Sequence, residues 1–302
     1  MVESVAERRM AHLAAQPLVA VGPKPGLFRG TVASIRDIWA HRELTSLLVK
    51  RELRARYKNS SLGFVWSMLK PLAQLLVYYF VIGELMKFGR GIPDFGIYIF
   101  AGLTVWTIFN EMVSGGTGSI VANSGLVKKV YLPREVFPLS TVGASMVNFG
   151  IQLGILLAFT AIAGAFPTSA RILYVPLGLL LILVFGTALA LVLSAINVYM
   201  RDMQHLVEIA MMLLFWASPI IYPYSLVVER FGGSWVHEVY LTNPVTLAVL
   251  AFQRGTWVRG LDQPFPDAMA LRVLVATGVC VVLLWLAQRI FTRAEGNFAQ
   301  EL

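Results

Sequence analysis

Long segments without a charged side chain constrain this sequence more than any other feature. No Asp, Glu, Lys or Arg occurs between Val136 and Ala170, or between Ile172 and Met200. A helix rises about 1.5 Å per residue, so roughly 20 apolar residues cross the hydrocarbon of a bilayer. The composition agrees, since 57% of residues are hydrophobic, 14% are charged and the mean hydropathy is +0.69. We therefore predict an all-α integral membrane protein.

Six segments are apolar and long enough to be predicted as transmembrane helices. They lie approximately at Leu62 to Met86, Phe95 to Gly115, Leu139 to Phe166, Ile172 to Met200, Gln204 to Tyr222 and Met269 to Phe291. Together they define a transmembrane domain of residues 62–291. It is preceded by a tail of residues 1–33 and an amphipathic interface helix of residues 34–61, and followed by a tail of residues 292–302.

The distribution of basic residues predicts the orientation of these spans. The two chain ends and the loops on their side carry 17 of the 25 lysines and arginines, whereas the alternate loops carry 6. Cytoplasmic loops carry the excess of basic residues, so both termini are predicted to be cytoplasmic. The net charge of +8 then reflects the inner edge of the membrane and its anionic headgroups, and no nucleic-acid partner is predicted.

A basic cluster directly precedes the first predicted span. Leu44, Leu47 and Leu48 on the preceding segment are predicted to dip into the acyl boundary. The cluster is a candidate site for lipid headgroups or substrate entry, with simple positive-inside anchoring as the alternative. Its members are Arg51, Arg54, Arg56, Tyr57 and Lys58.

A short amphipathic helix is predicted at about 124–132, in the cytoplasmic loop after the second span. Asn123 or Ser124 can cap it, and Pro133 stops it. Its apolar side consists of Leu126, Val127, Val130 and Tyr131, and its basic side of Lys128 and Lys129. An apolar face with no lipid to cover it indicates a protein partner, with an inner-surface anchor as the alternative.

The segment of residues 223–257 contains helices too short to cross the membrane. One begins at Asn243-Pro244 and ends at Arg254-Gly255, with a capping side chain, a proline at the first position and a glycine at the end. A shorter one is predicted around Ser225 to Phe231. They are predicted as re-entrant helices on the outer side, with a surface helix in an extracytoplasmic loop as the alternative.

The spans contain several aromatic side chains and one deep carboxylate. Sugar rings pack their C–H faces on aromatic faces, so these aromatic residues are candidates for lining a glycan conduit, while helix packing and interfacial belts are the alternative. Glu111 is a candidate conduit or inter-helix residue because a charge at membrane depth is costly. The conduit candidates are Tyr78, Tyr98, Trp106, Phe109, Glu111, Trp216 and Tyr222.

Four kinds of chemistry are not expected. The single cysteine, Cys280, and the four scattered histidines give no disulfide and no metal-ligand spacing. The sequence has no G-x-x-x-x-G-K-[ST] phosphate loop, so ATP is not expected to bind here. A membrane glycosyltransferase would need convergent acid, base or metal-binding groups, which the sequence does not offer.

Four sequence segments, in order, resemble the type-2 ABC exporter permeases that export lipid-linked polysaccharides such as O-antigens, teichoic acids and cell-wall galactans. They are RARYK followed by LGFVW and Pro71, then NSGLVKKVYLPREVFPL, RDMQHLVEIAMMLLFWASPIIYP and NPVTLAVLAFQRG. The resemblance implies a permease of the cytoplasmic membrane that is not itself an enzyme and binds no cofactor. It also implies a homodimer of this chain with two ATP-binding subunits, which hold ATP and Mg²⁺.

The resemblance further implies a role for the short cytoplasmic helix and its flank as the coupling helix that docks into the ATPase. The residues concerned are Leu126, Val127, Lys128, Lys129, Val130, Tyr131, Leu132, Pro133 and Arg134. Two other transport functions remain open. One is a permease of the same family for a small lipid or drug, and the other is an ion-coupled carrier, which should show buried carboxylates and broken spans in both halves.

Overall fold

A computed structural model of the protein describes residues 27–56, 65–87, 91–129, 132–260 and 262–302. Every regular element within these ranges is helical, which confirms the all-α prediction. The α-helices are α1 (Leu27–Ala40), α2 (Arg42–Arg56), α3 (Val65–Tyr78), α4 (Phe95–Ala122), α5 (Ser124–Lys129), α6 (Val136–Ile162), α7 (Tyr174–Tyr199), α8 (Met203–Trp216), α9 (Tyr224–Phe231), α10 (Trp235–Thr242), α11 (Pro244–Thr256), α12 (Met269–Ala294) and α13 (Phe298–Glu301).

Five helical stretches of the described chain are long and apolar enough to cross a membrane. Each coincides with a predicted span, and the first continues from α3 into a π-helix at Tyr79–Leu85. Glycines at 115 and 116 do not end α4, which runs on to Ala122. The five stretches are Met68–Leu85, Phe95–Ala122, Val136–Ile162, Ala170–Tyr199 and Met269–Asn297.

The fifth predicted span, Gln204 to Tyr222, differs from the structure. Its helix, α8, covers only 14 residues, which corresponds to about 21 Å against a hydrocarbon core of about 30 Å. Pro219 disfavours the α conformation of the preceding residue, Ser218, so the helix is expected to stop at or before that residue. The Pro219 carbonyl instead accepts a hydrogen bond from the Gln253 side chain at 2.9 Å. The described chain therefore has five helices of spanning length and one shorter apolar helix where six spans were predicted.

Helix α4 lies at the centre of the fold. It packs against α6, α7 and α11, and large side chains such as Phe100, Phe109 and Met112 are almost completely buried. At Gly116 the backbone of α4 approaches α7 so closely that an added Cβ would lie 2.6 Å from the Cβ of Ala190. The α4–α7 crossing therefore requires glycine at this position.

Replacing Gly116 with valine is expected to destabilise the protein by about 1–3 kcal/mol, because overpacking forces the two helices apart. The measurement is the midpoint of thermal unfolding in detergent. Gly154→Val on α6 is the matched control, since an added Cβ there meets nothing within 4 Å. Equal midpoints for the two variants would contradict the close approach.

The segment of residues 223–257, which was predicted to lie on the outer side, contains three helices instead of the two that were predicted. We call α9, α10 and α11 the outer helices. Helix α11 begins as expected, with Pro244 at its first position and the Asn243 side chain accepting a hydrogen bond from the Val245 amide at 3.0 Å. Its residues are buried almost throughout, with Val249 and Phe252 at 0% exposure. A helix lying on a surface would keep one side in water, so α11 is not a surface helix, and the re-entrant placement of the segment stays a prediction. Helix α10 was not predicted.

The N-terminal region forms two helices, with a break at His41, rather than one interface helix over 34–61. Helix α2 packs along α6, and Thr141 donates a hydrogen bond to Glu52 at 3.3 Å. Leu48 was predicted to enter the acyl boundary, but it is 6% exposed and packs inside the protein, whereas Leu47 is exposed. Protein packing therefore takes part of the face that the sequence assigned to lipid.

Candidate functional site

The predicted coupling segment lies against a second, smaller hydrophobic cluster, which we call the inner cluster. Helix α5 is described as far as Lys129, and Val130 and Tyr131 of the predicted helix lie outside the described residues. Val127 is 6% exposed, and Leu126 packs against the same cluster. The buried members of the inner cluster are Leu48, Ile120, Val127, Val136, Phe137, Ala188, Leu191, Ala195, Val198, Ala287, Phe291 and Phe298.

This packing changes the interpretation of the two faces of α5. The apolar side was predicted to contact a partner protein, but it is partly covered by the chain itself. Lys128 and Lys129 are exposed. The Asn123 side chain donates a hydrogen bond to the Ser119 carbonyl at 2.7 Å, so it closes the end of α4 instead of capping α5. The basic face is thus the part of α5 that is available to another molecule.

The C-terminal end of the chain supports the coupling segment, which the sequence did not indicate. Helix α13 contacts α5, and Phe298 is 0% exposed within the inner cluster. The guanidinium of Arg134 lies 5.7 Å from the centre of the Phe298 ring. Leu132, Pro133 and Arg134 are half-buried. The segment after α5 is therefore held between α6 and the C-terminal helix.

A buried polar cluster lies beside this contact and was also missed. Gln288 on α12 donates a hydrogen bond to Glu135 at 3.0 Å, immediately before α6, and Arg289 donates to Gln288 at 2.8 Å. All three residues are at most 9% exposed. The signal for this cluster in the sequence was the polar side chains at the end of an apolar helix. Their partner Glu135 was not predicted, because it lies 153 residues from Gln288 along the chain.

The predicted headgroup cluster is described only in part. Arg51 and Arg54 are exposed on α2, and the Arg51 guanidinium donates a hydrogen bond to the Asn123 side chain. Arg56 ends α2, its side chain is outside the described part of the structure, and so are Tyr57 and Lys58. Arg51 therefore connects α2 to the beginning of the coupling segment, while the role of the cluster stays a prediction.

Four of the aromatic conduit candidates are linked by ring contacts. Trp106 meets Phe109 at 6.0 Å, and Phe215 meets Trp216 at 5.9 Å. Trp106 packs edge-on against Phe215, with ring centres 5.2 Å apart, and Phe215 stacks on Tyr78. Phe109 is fully buried against Phe185, with parallel rings 5.6 Å apart. Trp216 is 60% exposed. These four candidates therefore form a connected aromatic cluster in which Phe109 is covered by protein, and their role as a conduit stays a prediction.

Tyr98 and Tyr222 belong to the outer end of the fold. The Tyr98 hydroxyl lies 2.7 Å from the Tyr222 carbonyl and 3.0 Å from the Pro219 carbonyl. The Tyr222 hydroxyl lies 3.0 Å from the Trp216 carbonyl. The backbone between α8 and α9 is not helical, so its carbonyl groups lack helical hydrogen bonds. The tyrosine hydroxyls supply hydrogen-bond donors to these carbonyls instead.

Charged pairs brace the outer helices. Arg259 pairs with Asp94 at 3.0 Å, and Arg272 donates to both carboxylate oxygens of Glu238 at 2.9 and 3.3 Å. The hydrogen bonds from Arg272 lower the pKa of the Glu238 carboxyl, because they stabilise its ionised form. The pair fixes α10 to the beginning of α12.

Glu111 faces a polar cavity between α3, α4 and α6. Asn148 on α6 donates to the two Glu111 carboxylate oxygens at 3.0 and 3.2 Å, so Glu111 makes an inter-helix contact. The cavity has a volume of about 370 Å³ and is also lined by Gln152 and Lys70. Within the described residues, no group of three His, Cys, Asp or Glu side chains could hold a metal ion.

This architecture defines a class: a multi-pass helical membrane protein with a short basic helix after its second long helix and a buried helix, α11, before its last one. The chain belongs to the ABC-2 type transporter family, whose profile matches residues 43–256. It is 35% identical to the O-antigen export system permease protein RfbA of Myxococcus xanthus over 268 residues, which cover 89% of this chain and 98% of that one.

Two further relatives are similar over shorter or more divergent alignments. The O-antigen export system permease protein RfbA of Klebsiella pneumoniae is 27% identical over 261 residues, covering 86% of this chain and 95% of the relative. The polysialic acid transport protein KpsM of Escherichia coli is 25% identical over 212 residues, covering 66% and 80%. The resemblance seen in the sequence motifs is thereby confirmed at the level of the family.

Proposed function

We propose that this chain is the permease subunit of an ATP-driven exporter that moves a lipid-linked polysaccharide across the cytoplasmic membrane. The observation that carries the proposal is the 35% identity to an O-antigen export permease over 98% of that protein. A substrate of the O-antigen, teichoic acid or galactan type fits this relationship. The polar cavity beside tryptophans supports a hydroxylated substrate over a purely apolar drug.

The energy source is proposed to be a separate ATPase, as in the family generally. The working unit would be a homodimer of this chain with two ATP-binding subunits that carry ATP and Mg²⁺. The exposed Lys128 and Lys129 on α5 support a docking role for this helix. Because the inner cluster fixes α5 to α6 and to the C-terminal helix, a movement of α5 would be transmitted to the spans.

The proposed topology has both termini in the cytoplasm and six crossings of the inner membrane. Five crossings are the long helices, and the sixth would consist of α8 together with the turns that lead to α9. Helices α9 to α11 would then form the re-entrant outer region. The buried position of α11 and the side-chain hydrogen bonds to the Pro219 and Tyr222 carbonyls support this, because irregular backbone at membrane depth must be satisfied by protein.

The proposal is tested by reconstituting the permease and its ATPase in vesicles with a lipid-linked O-polysaccharide. We expect the glycan to become accessible to an added lectin on the opposite leaflet only when ATP and Mg²⁺ are supplied. Movement driven by an ion gradient without ATP would favour the ion-coupled carrier. ATP-driven movement of a fluorescent short-chain lipid, with no movement of the glycan, would favour the small-lipid permease.

A further inference from the structure

The polar cavity between α3, α4 and α6 contains hydrogen-bond acceptors that lack donors in the described structure. The side-chain oxygens Oδ1 of Asn148 and Oε1 of Gln152 are buried without a hydrogen-bond partner there. The two residues are only 6% and 4% exposed, respectively, and both line the cavity. Buried polar atoms are normally paired, so two unpaired acceptors in one cavity point to a missing donor.

The helix geometry brings these acceptors together. Asn148 and Gln152 are four residues apart on α6, so they lie one turn apart on the same face. Asn148 donates hydrogen bonds from Nδ2 to Glu111. These bonds fix the orientation of the Asn148 amide, and its oxygen Oδ1 takes no part in them. The α6 wall of the cavity thus carries two amide oxygens near a carboxylate, both covered from solvent in the described structure.

The other residues that line the cavity indicate which chemical group can donate hydrogen bonds to the two amide oxygens. Lys70 lines the same cavity, and its positive charge opposes a bound metal cation. A hydroxyl group suits both kinds of wall, since it donates to the amide oxygens and accepts from the ammonium group. Trp66 and Trp106 also line the cavity and can pack against the C–H faces of sugar rings.

We infer that this cavity is a glycan-binding site in which Asn148 and Gln152 accept hydrogen bonds from sugar hydroxyls during export. The inference rests on the proposed function. The cavity volume of about 370 Å³ equals the liquid volume of about 12 water molecules at roughly 30 Å³ each. The cavity is therefore large enough to receive several hydroxyl groups at once.

Gln152→Met tests the site with little cost to the fold. It keeps the length of the side chain and removes an oxygen that has no partner within the described residues, so thermal stability should be unchanged or higher. We expect ATP-driven glycan export to fall about fivefold, which corresponds to one net hydrogen bond of about 1 kcal/mol. Leu153→Met, one position along α6, is the control and should export normally.

A second measurement does not depend on export activity. A photo-crosslinking residue in place of Thr107, which lines the cavity, should capture the lipid-linked glycan in the complete transporter. The same residue in place of Val279, exposed on α12, should not. Capture should weaken when Gln152→Met is added to the Thr107 variant.

The outcomes separate this site from the proposed function. Normal glycan export by Gln152→Met, without capture at position 107, would overturn the site and leave the exporter assignment intact. A fall in export matched by an equal loss of folded transporter would also overturn it. If the unmodified transporter shows no ATP-driven glycan export, the proposed function itself fails, and the site fails with it.

Discussion

Reversing the charges of Lys128 and Lys129 together to glutamate is expected to abolish ATP-driven export while the permease stays folded and inserted. Both side chains are exposed on α5, whereas Val127 on the same helix is buried. The substitutions therefore change the outward face and leave the inner cluster intact. A partner surface that receives two ammonium groups would meet two carboxylates, and like charges at an interface cost several kcal/mol.

Co-purification with the ATPase and stimulated ATP hydrolysis measure this effect. We expect the affinity for the ATPase to fall by more than about tenfold, corresponding to about 1.4 kcal/mol or more. Arg293→Glu is the control, because Arg293 is also an exposed cation but lies at the end of α12. Full ATPase association by the double variant would show that α5 does not dock through its basic face.

Phe298→Ala is expected to destabilise the inner end of the protein by about 3–5 kcal/mol, the usual cost of emptying a buried phenylalanine site. The ring is completely buried and packs edge-on against Phe291 at 5.5 Å and Tyr199 at 6.1 Å. Because Arg134 lies over the same ring, the loss should also loosen the segment after α5.

Hydrogen exchange of α5 and of the beginning of α6 measures this loosening, and thermal unfolding measures the stability. ATP hydrolysis in the complex should become less dependent on the glycan, because α5 would no longer follow the spans rigidly. Gln300→Ala is the matched control, since Gln300 is exposed on the same short helix. Unchanged exchange in α5 would show that the C-terminal helix does not support the coupling segment.

The sequence predicted best what depends on local composition. The charge-free stretches around α6 and α7 became spanning helices because a long apolar run has no other stable environment. The position of helix α11 was predicted accurately because the residues that mark its beginning, Asn243 and Pro244, are adjacent to it in the sequence. The short helix α5 was located for similar reasons, and its predicted last turn lies outside the described residues.

Other features depended on partners far away along the chain. The shortness of α8 is stabilised by Tyr98 and Gln253, which satisfy the carbonyls at its irregular end. Leu48 looked lipid-facing from its position in an amphipathic pattern, yet α6 and the inner cluster cover it. Apolar residues look alike to a local pattern whether lipid or protein covers them, so this distinction could not be predicted.

The same division applies to the candidate sites. Sequence alone determined the membrane class, the spans near residues 95–115, 139–166 and 172–200 in outline, the short basic helix after the second span and an unusual carboxylate at Glu111, because each of these is a property of a short window. Only the tertiary structure decided that Glu111 meets Asn148, that Gln152 faces the same cavity and that Phe298 supports the coupling segment. Such pairings arise from helix crossings between distant residues, and no local preference specifies them.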